Sequence, residues 1–189
     1  GAGFQCQYTD RIRHYGCIAD GNALSNFRTT GFTDSLKTSN CVSVNGVQHG
    51  MLFAAPFSSV EVTNNIVSGN GTGSSSYYGI IAGTSGVTAS GNDTYNNGSS
   101  GTNHTSNVTN SSGQTIDPKL DNSYRTGAAA LRSSGTIAGG IDYFGKEFRS
   151  APSIGAIEYW PARSISTRSA ATRNMTTRNV ARRRSIAGA

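Results

Sequence analysis

The chain has 189 residues, 35% of them hydrophobic and 8% aromatic, with a formal net charge of +6. That apolar content covers one moderate core and falls short of a large mixed α/β core, so one elongated domain is expected. No run of roughly 18 apolar residues is present to form a membrane-spanning helix, and the charge is segregated: residues 1–158 carry nine Lys and Arg against ten acids, whereas residues 159–189 carry seven Arg and no acid.

The chain opens on GAGFQCQYTD with no charged-then-apolar leader, and reads as though entered partway through a fold. Asp10, Arg11, Arg13 and His14 follow, with Arg11 and Arg13 on one face if the segment is a strand. This is the strongest catalytic grouping in the sequence, and its plain reading is a solvated strand edge. Cys6, Cys17 and Cys41 are an odd set without CxxC spacing. They support neither a disulfide framework nor a zinc site, so free and mostly buried thiols are expected.

Internal repetition comes next and dominates the reading. Residues 58–70 (SSVEVTNNIVSGN) align without gaps on residues 85–97 (SGVTASGNDTYNN), a period of 27. Residues 49–54 (HGMLFA) and 78–83 (YGIIAG) precede the two copies, and residues 15–20 (YGCIAD) read as an earlier third version, making Gly16, Gly50 and Gly79 equivalent. Each unit reads as a Gly-led strand, a turn, and a second strand followed by Asn, with Asn65 and Asn92 matched. Strands this short cannot bury an apolar face alone, and stacking successive coils does it for them. The fold class expected is all-β, a right-handed parallel β-helix.

Val60 and Val62 alternate with Glu61 and Thr63, as in a sheet with one wet face. The Gly-led strands do not alternate. Ile18, Leu52 and Ile81 therefore read as apolar residues on a second, covered face, under either a loop of the same chain or neighbouring subunits of a homotrimer. Asp20, Asp34, Glu61 and Asp93 fall at different offsets and form no carboxylate ladder, while His49 and His104 read as a strand-end and a loop residue. In residues 91–115, 20 of 25 are Gly, Asn, Ser or Thr, which reads as turns or an exposed excursion. The triplets at Asn92, Asn103 and Asn107 follow from that composition.

Residues 115–120 (TIDPKL), 142–149 (DYFGKEFR) and 151–159 (APSIGAIEY) form a closing pattern. It resembles the last segment of right-handed parallel β-helix proteins of the pectate-lyase-like superfamily, where an Asp-Pro turn, D-x-x-G-x-x-x-R and P-D-I-G-A-x-E-Y end the solenoid. Ser153 stands where that pattern has Asp. The resemblance covers about residues 10–160 and implies a fold; it does not identify an activity. The superfamily includes polysaccharide lyases and hydrolases as well as phage tailspikes and virion surface proteins, often trimeric. No catalytic residue, metal or cofactor is assigned.

After Pro161 the tail places Arg163, Arg168, Arg173, Arg178 and Arg183 five apart, with Arg182 and Arg184 flanking the last. Five residues turn a helix by about 140°, and the odd spacing alternates faces on a strand, so neither element gives one basic stripe. A pentapeptide-type coil and an extended arm both fit the period. Arg at the small, inward position argues against the coil. An arm carries guanidinium forks suited to carboxylates and carbonyls, and its lack of lysine and of aromatic residues for stacking makes nucleic acid the lesser partner. The division expected is a β-helix over 1–161 and a basic arm over 162–189. The function expected is a structural protein on the virion surface of a phage-like particle, anchored by the arm to a capsid or other virion protein. The alternative is a polysaccharide lyase or hydrolase, or a non-catalytic module that binds a host glycan with Tyr77, Tyr78 and Tyr95 as its stacking platforms.

Overall fold

The computed structural model describes residues 1–7, 9–31, 33–54, 57–83, 87–135, 142–148 and 152–158, all within the compact unit Gly1–Tyr159. The seven tail arginines lie outside the described residues, as do Arg149 and Tyr159 of the closing motif.

The described chain is a parallel β-helix. Its first coil is β1 (Phe4–Cys6), β2 (Thr9–Tyr15) and β3 (Ile18–Asp20), and its second is β4 (Phe27–Thr29), β5 (Thr33–Ser39) and β6 (Val42–Val44). The third is β7 (Met51–Phe53), β8 (Phe57–Thr63) and β9 (Ile66–Ser68), and the fourth is β10 (Ile80–Ala82), β11 (Val87–Ser90) and β12 (Asp93–Tyr95). A fifth begins with β13 (Thr105–Ser106) and β14 (Thr109–Ser111). These stack into three parallel sheets: sheet A is β1-β4-β7-β10-β13, sheet B is β2-β5-β8-β11-β14 and sheet C is β3-β6-β9-β12. The 27-residue repeat is the step from the third coil to the fourth, pairing Val60 with Val87, Val62 with Ala89, and Ile66 with Asp93. The Gly/Asn/Ser/Thr-rich stretch is not an excursion: it supplies β12, β13 and β14. In β14 the register sets Asn110 over the buried Ala89 while Thr109 and Ser111 are exposed.

Asparagine does the work at the corners. In the first four coils the chain leaves sheet B through a left-handed residue, at Gly16 (φ 61), Asn40 (φ 51), Asn64 (φ 56) and Gly91 (φ 61). These are the residue types that tolerate this conformation. The next position stacks from the third coil to the fourth, where Asn65 Nδ2 donates to Asn92 Oδ1 (2.8 Å); Asn92 Nδ2 in turn donates to Asn110 Oδ1 within β14 of the fifth (2.9 Å). After sheet C a second ladder runs Asn26, Asn70, Asn97 at 3.0 and 3.1 Å. Gly46 leaves the space that the Asn26 amide enters, since a Cβ there would meet Asn70 Oδ1 at 3.0 Å and Asn26 Nδ2 at 3.1 Å.

The equivalence of residues 15–20 with 49–54 is corrected by the register. Gly16 aligns with Asn40 and Asn64, and Ile18 pairs with Val42 in sheet C. Phe27, not Cys17, is the partner of Met51. The glycines mislead because they serve different needs. Gly16 supplies the left-handed turn, whereas Gly50 sits where a Cβ would meet Val67 Cγ1 at 2.5 Å and Gly79 O at 2.7 Å.

Two cores result. The inner one lies between the sheets and includes Phe27, Leu36, Met51, Phe53, Val60, Val62 and Ile80. The second lies outside sheet C, where Val42, Val44 and Ile66 pack against Leu131, Ile154, Ala156 and Ile157 of the closing segment. Sheet C is thus the sheet with two apolar faces, and its cover is this chain's own C-terminal segment. Each large aliphatic side chain there contributes about 2 kcal/mol by leaving water. The acids of the closing motif hold that cover in shape. Asp142 Oδ1 accepts from the Phe144 and Lys146 N–H groups (2.9 and 2.8 Å), its Oδ2 accepts from Glu158 N (3.2 Å), and Glu158 accepts from Ser153 N and Oγ (3.0 and 3.1 Å).

Candidate functional site

The Asp10–His14 grouping does not converge. Alternation along β2 turns Arg11 and Arg13 outward to solvent and His14 inward, where it is 7% exposed. The His14 ring packs against the stacked pair Phe4 and Phe27 at centroid distances of 5.7 and 5.3 Å, with Nδ1 3.1 Å from Thr38 Oγ1 and Nε2 4.0 Å from Cys6 Sγ. Burial lowers the His14 pKa and raises that of the Cys6 thiol, so both are held neutral and no thiolate–imidazolium pair forms. Of the scattered acids, Glu61 pairs with Lys37 at 2.9 Å on the outer face of sheet B, and Asp93 is fully buried in sheet C.

Polar and aromatic side chains gather around a hollow at the seam between sheet C and the closing segment. Asp117 starts it with a turn in which Oδ1 accepts from Lys119 N (2.9 Å), and Asp121 Oδ1 accepts from Ser123 N and Arg125 N (2.8 and 3.0 Å). Tyr124, at φ 59, is thereby swung across the sheet edge, and its hydroxyl donates to Asp20 Oδ2 at 2.7 Å. Asn45 Nδ2, from the next coil, donates to Asp20 Oδ1 at 2.9 Å. The Asp20 carboxylate raises the Tyr124 phenol pKa by accepting its proton in a hydrogen bond.

An open cleft of about 410 Å³ lies between Asp20, Asn45 and Ser68 on the solenoid and Asp117, Asp121 and Tyr124 on the closing segment. A second hollow of about 400 Å³ shares Asp20, Asn122 and Tyr124 and continues to Tyr143 and Phe144, which are 57% and 51% exposed. The Arg125 guanidinium lies 5.4 Å from the Phe144 ring centre. Fixed hydrogen-bond acceptors beside exposed ring faces suit a hydroxyl-rich ligand, whose C–H faces stack on aromatics while its hydroxyls donate to carboxylates. Among the described residues no group of three or more His, Cys, Asp or Glu side chains is arranged to hold a metal ion.

Leu52 and Ile81 are register neighbours on the outer face of sheet A, both partly buried, in a row that continues to Arg28 and Ser106. Ile18 is not in that row; it lies in sheet C, packed against the second core. Tyr77 and Tyr78 pack on His49 (5.2 and 6.4 Å between ring centres), and Tyr95 ends β12. Asn92 is fully buried in its ladder, which leaves its N-x-Thr triplet no accessible amide. Sequence reasoning passed over Tyr124, Asp121, Tyr143 and Phe144. The only trace was that the Asp-Pro turn and the D-x-x-G stretch both sit in the closing motif, where they read as fold-closing residues. No protein-family model, curated protein or solved structure matches this chain.

Proposed function

We propose that this chain is a structural, non-catalytic β-helix of the pectate-lyase-like kind. In this reading it forms the body of a surface protein on a phage-like particle, homotrimeric through the Leu52/Ile81 face of sheet A and anchored to a capsid or other virion protein by the arginine arm. One observation carries the non-catalytic part of the reading. The buried amides of Asn65, Asn70, Asn92 and Asn97 are spent on coil-to-coil bonds, and the best catalytic grouping is split across the two faces of β2. The segregation of seven arginines after residue 158 supports the anchoring part. Deleting residues 162–189 leaves a folded solenoid that no longer joins its assembly; normal assembly of the truncated protein overturns the anchoring.

The Asp20–Tyr124 cleft favours a second reading, in which the same solenoid binds or cleaves a host glycan. Its lining carries acids and no cation, so a neutral glycan fits better than an acidic one. Full chain is incubated with acidic and neutral polysaccharides, scoring unsaturated and reducing ends and retardation in affinity electrophoresis. Retardation abolished by Tyr143→Ala and Phe144→Ala supports binding at the seam, in the hollow that shares Asp20 and Tyr124 with the cleft. New chain ends support an enzyme, and neither effect on any glycan refutes this second reading.

A further inference from the structure

Cys17 and Cys41 directly follow the left-handed residues Gly16 and Asn40, at the position that Asn65 and Asn92 occupy in the next two coils. The pairing of Ile18 with Val42 one residue on, together with the bond from Val42 N to Cys17 O (2.8 Å), sets the two cysteines opposite each other on adjacent coils. Neighbouring parallel strands run about 4.8 Å apart, inside the Cα separation that a disulfide spans. Both sulfurs have the same disposition, each within hydrogen-bond reach of the carbonyl two residues back: 3.5 Å from Tyr15 O and 3.2 Å from Ser39 O. Cys41 is fully buried and Cys17 is partly exposed, so one sulfur meets solvent and the other stands behind it.

We propose that Cys17 and Cys41 are a dithiol modification site, at which reaction with a small-molecule disulfide links the first coil to the second. The Cys17 thiolate attacks one sulfur of the disulfide RSSR, forming Cys17–S–S–R and releasing RS⁻, which takes up a proton. Cys41 then loses its proton, and its sulfur attacks Cys17 Sγ, expelling the second RS⁻. The protein gives up two electrons and two protons, and RSSR leaves as two RSH. Electrostatics favours this order. The hydrogen bond from Cys41 pulls the Cys17 pKa down to about 6, against an opposing effect of burial, whereas burial holds the Cys41 thiol well above 9. The third thiol, Cys6, lies in sheet A beside His14 and outside this column, and burial keeps it protonated.

The test uses the full chain, fully reduced, with oxidised glutathione at pH 7.5 followed by N-ethylmaleimide. The expected product is lighter by two hydrogens, carries one maleimide on Cys6, and yields a tryptic cross-link between the peptides spanning 14–28 and 38–119. Cys6→Ser keeps the cross-link, and Cys41→Ala stops at a glutathione adduct on Cys17. With iodoacetamide at pH 6.5, Cys41→Ala also slows Cys17 alkylation about tenfold, the net of a thiolate fraction set by pKa 6 rather than 9 and the higher intrinsic nucleophilicity of the more basic thiolate. Three maleimides after oxidation, a Cys6–Cys17 link, or a glutathione adduct that persists on Cys17 in the unsubstituted chain each overturns the proposal.

Discussion

Asp93 takes the place in sheet C that Ile18, Val42 and Ile66 hold in the coils before it, and it is fully buried. Its Oδ1 accepts from Ile116 N at 2.9 Å, while Oδ2 has no hydrogen-bond partner. Burial first, and then the charge of Asp117, raise its pKa from 3.8 to about 7, against the opposing pull of the Ile116 N–H. Between these two values the folded chain keeps a proton that the unfolded chain has lost. Stability therefore falls as pH rises from about 4 to 7 and levels off above, with full stability below the unfolded value. Three pKa units at about 1.4 kcal/mol each give an upper bound of about 4 kcal/mol. Asp93→Asn keeps the shape and the Oδ1 acceptor but cannot ionise. In urea unfolding followed by circular dichroism, the variant should match the parent near pH 4 and exceed it at pH 8 by up to about 4 kcal/mol. The histidines buried in both proteins cancel in this difference. A variant that is no more stable at pH 8, or that keeps the parent's pH slope, refutes the reasoning.

Asn92→Ala removes the acceptor of Asn65 N (2.9 Å) and Nδ2 (2.8 Å) and the donor to Val62 O (2.8 Å). Leaving those buried groups unpaired costs about 3 kcal/mol, read as a lower urea midpoint with unchanged slope. Gly50→Ala forces a Cβ to within 2.5 Å of Val67 Cγ1 and 2.7 Å of Gly79 O, whereas Gly21→Ala, at φ +66, meets nothing within 4 Å. The first should cost more than about 2 kcal/mol and the second only the left-handed strain of about 1 kcal/mol, a ranking that thermal unfolding of the two variants checks directly.

The 27-residue period was legible because the third and fourth coils differ from one another only by substitution along their second and third strands. The earlier coils were not, because their register steps are shorter: Leu36 to Val60 spans 24 residues, as does Ile18 to Val42. A glycine in the alignment also has two physical meanings, left-handed backbone at Gly16 and close approach at Gly50, and one letter does not separate them. The cleft was harder still. Asp20 and Tyr124 are 104 positions apart and meet because the closing segment runs along the outside of sheet C.

From the sequence by itself came the stacked parallel coils, the matched Asn65 and Asn92, the absence of a carboxylate ladder and the segregation of arginine into the tail. These rest on periodicity and composition, which are properties of the chain read in order. Only the tertiary structure decided which sheet is covered and by what, that His14 turns away from Arg11 and Arg13, that Asp93 replaces an aliphatic side chain in a buried column, and that Cys17 stands against Cys41. Each of these depends on register between coils, and register is set by turns whose lengths vary while the hydrogen-bonded ladder they join does not.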